Sequence, residues 1–387
     1  MFRAIAQTPT VVSVNLQGLS GRMGLVGATM LCVALVVATL LALDALNQGL
    51  RNTIAKSGDE NVAIVMRGGS QAEINSRVTK EQLDILRNAP GVGILSPEAN
   101  LVVDGFRKSD GARANISLRG ITGAGIDIRK GTQLSEGRWP AVGAAELVVG
   151  VNVAQTYRGM DIGDQVEFGS ANWTIVGHFE SGGSVYESEI WGDLTAVQNL
   201  FDRANTVQSV RIGVDGNSGL SIVSDFSEHD PRLQLSVRSE ADYYAAQASR
   251  SSELAQYLAW PLAILMAIGA LIGAINTMLS SVSSRATEIA TLRVVGYRRL
   301  AVFLGLLIEC TFICLVAGVI GSGLSYLLLD GLSASTLGGG ITQIGYSLEF
   351  TPLAFIQGIA LAIAIGILGA IIPAGVASLQ PVTQQLG

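Results

Sequence analysis

Four long apolar runs, 23–43, 258–280, 301–329 and 352–374, interrupt an otherwise mixed alternation of hydrophobic and polar positions. Each is long enough for a helix across a hydrocarbon layer of roughly 30 Å. The polar stretch 44–257 carries a different rhythm. Positions 61–66 alternate as a strand does. At 79–88 a helix is predicted, opened by Thr79 with Gln82 three residues later and closed by Pro90-Gly91. Strand patterns follow at 94–103 and 114–121. A second set comes late: strand 207–214, helix 220–228, strand 233–238. Two β-α-β sets separated by other material predict one α/β subdomain interrupted by a mainly-β insertion at about 122–206. Its short strands, 146–150, 165–168 and 173–176, are set off by glycine turns.

Residues 239–257 keep a helical pattern and enter the second apolar run without a break signal, which predicts a stalk helix, with Pro261 as the place for a kink. The first run also continues helically through LALDALNQGL. It is too long for the apolar part of a signal peptide, so it is read as a retained anchor despite the basic Arg3 and Arg22 before it. The fold class expected is therefore an α-helical membrane protein with four transmembrane helices plus an α+β extracytoplasmic domain. An amphipathic segment, 1–22, precedes it, an external loop occupies 330–351, and a tail occupies 375–387.

The segment 281–299, SVSSRATEIATLRVVGYRR, is the most charged stretch beside the apolar runs. Val282, Ala286, Ile289, Leu292 and Val295 recur at three- and four-residue intervals as one apolar stripe, with Arg285, Glu288 and Thr291 on the other side. Arg285 and Glu288 are one turn apart and able to pair. Gly296 is a natural stop. Two readings remain open on pattern alone: a basic loop between membrane helices, or a surface helix that plugs into a partner.

Composition and charge narrow this further. An apolar share of 49% with only 14% charged residues requires that part of the chain live in lipid. The net charge of -6 is spread without runs, and basic residues do not cluster with aromatic ones, which excludes nucleic acid as a partner. Arg285, Arg293, Arg298 and Arg299 lie between the second and third runs, whereas 330–351 holds no Lys or Arg. By the positive-inside rule the N-terminus, 281–299 and the C-terminus are cytoplasmic and the large domain is external. There is no Gly-Lys pair, hence no phosphate-binding loop of the G-x-x-x-x-G-K-[ST] type. His178 and His229 are far apart without ligand spacing, and the three cysteines fall in apolar runs, so no metal site or disulfide framework is indicated. Glu309 is the one acidic residue inside an apolar run, read either as a functional carboxylate in a cleft or as a paired interface residue. Gly269 and Gly273, with Gly318 and Gly321, offer small surfaces for helix packing.

The run Glu288-Ile289-Ala290-Thr291-Leu292-Arg293-Val294-Val295-Gly296 resembles the signature of the MacB/FtsX/LolC-type permeases of ABC transporters. Gly137-Arg138, Glu146-Leu147-Val148-Val149-Gly150, Ile162-Gly163-Asp164 and Ile175-Val176-Gly177 resemble, in order, the motifs of the MacB periplasmic domain. Leu307-Ile308-Glu309, followed by Gly318 and Gly321, is similar to the family's third membrane helix, and Pro373-Ala374, Ala377, Leu379 and Pro381 to its ending. The ending departs from the family in lacking basic residues.

That resemblance implies an ATPase-coupling helix in which Arg285, Glu288, Ile289, Leu292, Arg293 and Gly296 contact a cytoplasmic ABC ATPase subunit. The chain itself is then a non-catalytic subunit that binds no cofactor, with ATP and magnesium on the separate ATPase. The resemblance further implies a homodimer or a heterodimer with a related permease, a periplasmic adaptor, lipid contact, and a place in the bacterial inner membrane. Three outputs follow: export by mechanotransmission, extraction of lipoprotein or lipid, or control of an external cell-wall hydrolase without transport. The size and motifs of the external domain favour the first.

Overall fold

The computed structural model describes residues 2–17, 23–214, 216–335 and 344–379. Arg22, Pro381 and the tail after it lie outside the described residues. The chain divides into two compact units, one of Met1–Gln48, Glu253–Leu332 and Leu348–Gly387, the other of Gly49–Ser252 and Ser333–Ser347. It begins with α1 (Phe2–Gln17) and α2 (Met23–Ala55). Helix α2 outruns its apolar stretch because the residues after Leu43 are mostly good helix formers and include no proline.

In the external unit β1 (Val62–Arg67) and β2 (Val78–Thr79) lead to α3 (Lys80–Arg87). The predicted capping box is present: the Gln82 N–H donates to the Thr79 hydroxyl at 3.3 Å and the Thr79 N–H to the Gln82 side chain at 3.1 Å. Then come β3 (Leu95–Phe106), β4 (Arg113–Ile121), α4 (Gly123–Ile128), β5 (Gln133–Gly137) and β6 (Glu146–Gly150). Next are α5 (Val151–Thr156), β7 (Gln165–Phe168), β8 (Ala171–Glu180), β9 (Glu189–Asp193) and α6 (Leu194–Leu200). The unit's main run ends with β10 (Thr206–Val207), β11 (Ser209–Gly213), α7 (Gly216–His229) and β12 (Leu235–Ser239).

Ten strands form one sheet in the order β12-β1-β11-β3-β4-β9-β6-β8-β5, with β7 paired on β8. The insertion joins through β9, which runs parallel to β4, so its strands extend the sheet of the interrupted subdomain. Alternation along the strands sends Ala63, Val65, Leu118 and Ile190 to one covered face and Ile64, Met66, Val148 and Trp191 to the other.

The remaining elements are α8 (Glu240–Ser284), α9 (Ala286–Val294), α10 (Arg299–Leu329), the hairpin β13 (Ser333–Ser335) and β14 (Gly345–Ser347), and α11 (Pro352–Leu379). Pro261 lies inside α8 without ending it. Among the described residues four helices are long and apolar enough to span a membrane: Met23–Ala55, Pro261–Ser284, Arg299–Leu329 and Pro352–Leu379. The core of this unit is built from Val37 and Leu41 of α2, Ala274 and Met278 of α8, Cys310 and Cys314 of α10, and Ala362 and Ile365 of α11. Gly318 and Gly321 allow close approach: a Cβ on Gly318 would lie 2.6 Å from the Ala362 Cβ, and one on Gly321 would strike the backbone of Ala34. A Cβ on Gly269 or Gly273, read as packing surface for a bundle or a dimer, meets nothing within 4 Å among the described residues. On the same stretch of α8, Leu265, Ile268 and Ile272 are exposed.

Candidate functional site

The segment 281–299 is not one helix. Ser281 to Ser284 complete α8, the chain breaks at Arg285 with φ -116 and ψ 18, and α9 follows. The break changes which side chains are buried. Val282 and Ile289 are buried as the stripe requires, but Val295 lies past the helix end and is 72% exposed. Arg285, expected on the polar side, is instead 6% exposed, because the break turns it inward.

Three elements share its guanidinium. Nε donates to Glu288 Oε2 at 2.8 Å, the predicted one-turn pair, and one terminal nitrogen donates to Asn15 Oδ1 of α1 at 3.0 Å. The other lies 3.5 Å from Glu309 Oε2 of α10, an ion pair without hydrogen-bond geometry. Glu309, 1% exposed, thus lies buried beside a counter-charge. Its apolar surroundings make that pairing necessary, since a carboxylate there is costly without a counter-charge.

The far end of α9 is held as firmly. The Tyr297 N–H donates to the Leu292 carbonyl at 3.1 Å and the Gly296 N–H to the Arg293 carbonyl at 3.2 Å. With Gly296 at φ 109, this is a Schellman stop that a side chain would strain. Gln7 of α1 brackets the turn: its Nε2 donates to the Gly296 carbonyl at 3.4 Å, and its Oε1 accepts the Arg298 N–H at 3.2 Å. Arg293 donates to the Ser378 carbonyl of α11 at 3.2 Å. Of the residues expected to act here, Ile289 faces the core as Arg285 does, Leu292 and Arg293 are half-buried, and Glu288 and Gly296 are exposed. Thr287, Glu288, Thr291, Val294 and Val295 leave one side of α9 bare among the described residues.

The contributions of Gln7 and Asn15 were not legible from pattern, since α1 makes them from 270 or more residues away. No group of three or more His, Cys, Asp or Glu side chains is assembled for a metal ion among the described residues. His178 sits on β8 with Nε2 2.7 Å from the Met160 carbonyl, and His229 closes α7 with Nδ1 2.7 Å from the Asp225 carbonyl.

Known proteins resemble both parts of the chain. The family described as MacB-like periplasmic core domain matches residues 26–249, and the family described as FtsX-like permease C-terminal matches residues 261–380, which contain α9. The macrolide export ATP-binding/permease protein MacB of Bdellovibrio bacteriovorus is 26% identical over 362 residues, covering 83% of this chain and 55% of its own length. The protein of the same description from Vibrio parahaemolyticus is 24% identical over 365 residues, covering 88% of this chain and 55% of its own. The chain thus spans about half the length of these relatives. The crystal structure of the periplasmic region of MacB from Actinobacillus actinomycetemcomitans superposes with a TM-score of 0.38 at 14% identity, covering 52% of this chain and 97% of that one.

Proposed function

The chain belongs to the MacB-like permease family of ABC transporters, joining a MacB-like periplasmic core domain to an FtsX-like permease segment, and we propose that α9 is where an ATPase docks. It is a multi-pass membrane protein with a mixed α/β external domain. In our reading nucleotide binding and hydrolysis occur on the ATPase, which holds ATP and magnesium. The movement enters here through α9 and leaves through the external domain.

The observation that carries this reading is a short helix fixed on three sides and bare on the fourth. A docking helix that flexed on its own would absorb a push. Arg285, Gln7 and Arg293 tie α9 to α1, α10 and α11, so a push is shared by the whole membrane unit. Helix α8, unbroken from Glu240 to Ser284, is the covalent route outward. The exposed Glu288, Val294 and Val295 offer a partner one charge and an apolar edge. Arginine placement supports an α9 on the cytoplasmic side of the inner membrane and an external domain in the periplasm. The relatives' description as macrolide exporters favours export, with cargo passed to a periplasmic adaptor by two copies of this chain or by one copy and a related permease.

Two measurements test this. With the native cysteines replaced by serine, Val295→Cys and Val142→Cys, 72% and 89% exposed, should react with a membrane-impermeant thiol reagent from opposite sides of the bilayer. Reaction from the same side ends the proposal. Glu288→Lys and Gly296→Pro should each reduce ATP turnover to that of the ATPase alone while insertion into the membrane is unchanged. Full stimulation in both variants would remove α9 as the docking element.

A further inference from the structure

A second set of buried charges lies in the external unit, and no motif named above accounts for it. Strand alternation puts Glu98 of β3, Arg119 of β4, Glu189 of β9 and Arg211 of β11 on the face of the sheet that carries Ile64, Met66 and Trp191. Glu73, Arg129 and Glu240, the first residue of α8, close over them. None of the seven is more than 6% exposed.

Their donors and acceptors interlock. Arg211 donates through Nε to Glu240 Oε1 at 2.8 Å, through Nη2 to Glu73 Oε1 at 2.9 Å, and through Nη1 to Glu98. Arg119 grips Glu189 with two bonds, at 2.6 and 2.7 Å, and reaches Glu73 and Glu98 at 2.8 Å each. Arg129 forks onto Glu98 at 2.7 and 2.8 Å, with its guanidinium 4.6 Å from the centre of the Tyr186 ring. The Tyr186 hydroxyl donates to Glu240 Oε1 at 2.6 Å, and the neighbouring Val185 N–H donates to the hydroxyl of Ser57, just past the end of α2, at 2.9 Å. Here the turn after α2 and the start of α8 meet so closely that a Cβ on Gly58 would lie 2.5 Å from the Ala241 Cα.

An isolated buried Arg–Glu pair contributes little net stability, because desolvation offsets the attraction. A lattice in which each guanidinium serves several carboxylates is different: no member can move without stranding charges on its neighbours. We propose that this lattice is a positioning device that locks the root of α8, and through Tyr186 and its neighbour Val185 the end of α2, to the sheet. Displacement of these helices then reaches the sheet and its insertion as rigid-body motion. The inference rests on the reading that α8 carries the displacement. Burial by itself would raise the carboxyls, but the facing arginines outweigh it, holding Glu73 well below the usual carboxylate range and Glu98 at about 2. Glu73 and Glu98 therefore keep their charges in mild acid.

The test uses the full chain with its ATPase in lipid nanodiscs, native cysteines replaced by serine, and spin labels on Glu167→Cys of β7 and Asp242→Cys of α8. Pulsed dipolar spectroscopy should give one narrow distance that does not move between nucleotide-free and ATP-bound states. In Glu240→Ala the distribution should broaden while stimulated ATP turnover is retained. Tyr186→Phe, which removes a hydrogen bond and no charge, should broaden it less, and it decides the matter where Glu240→Ala does not fold. A nucleotide-dependent distance in the unsubstituted chain, or narrow distributions in the variants that fold, overturns the joint. Absence of stimulated turnover in the unsubstituted chain counts instead against the docking reading.

Discussion

Arg285→Met is expected to destabilise the membrane unit by about 3–5 kcal/mol, the usual cost of removing one partner from a buried ion pair. Glu309 stays 1% exposed on a spanning helix while the guanidinium 3.5 Å away is gone. The same substitution removes the bonds to Glu288 and Asn15, so the start of α9 loses its tie to α1 and only the Gln7 bracket at its far end remains. Glu309→Leu should cost less, since Arg285 keeps those two partners and the buried carboxylate is replaced by an apolar side chain suited to the span. The double variant Arg285→Met/Glu309→Leu should therefore be more stable than Arg285→Met alone, a non-additivity that a double-mutant cycle reads directly. Unfolding of the full chain in mixed micelles supplies the stabilities, and ATP turnover with the ATPase should remain low in both variants that lack Arg285. Simple additivity across the cycle would mean that the 3.5 Å approach carries no coupling.

Features set by neighbours in sequence could be read from the chain alone. Thr79 with Gln82 announced a capping box, and Gly296 announced a helix stop whose φ of 109 explains the choice of glycine. Glu309 stood out because its neighbours are apolar, but whether it acted in a cleft or in a pair depended on a break at Arg285 that periodicity did not reveal. The external lattice was less legible still. Strand β9 reads E-I-W-G-D, polar at both ends, and the buried Glu189 takes its counter-charge from Arg119, 70 residues earlier. Arg211 and Glu73 are 138 residues apart. A buried charge is visible in sequence as a charge, and its burial is decided by partners that only the tertiary fold assembles.

Arg211→Met should have the largest effect in the external unit, again about 3–5 kcal/mol, because three carboxylates lose one shared cation. Arg211→Lys should recover little of it: an ammonium cannot reach Glu73, Glu98 and Glu240 along three directions as the planar guanidinium does. Acid separates this account from a simple packing defect. Glu98 is held at about 2 in the fold, whereas an unfolded glutamate titrates near ~4.3. A depressed carboxyl contributes stability that is complete above the unfolded value and is lost as pH falls through the folded one. The unsubstituted domain should accordingly keep this contribution down to about pH 5 and lose it between roughly pH 4.3 and 2. In Arg211→Met, Arg129 and Arg119 still face Glu98 but the folded value rises toward the unfolded one, so that part of the loss is already present at neutral pH. The stability gap between the two proteins should then narrow as the pH falls through this window. Urea unfolding followed by the fluorescence of the buried Trp173 and Trp191 across a pH series measures it. A gap that stays constant from neutral pH to pH 2 would assign the cost to lost packing, and the charge lattice would no longer explain why these seven residues are buried together.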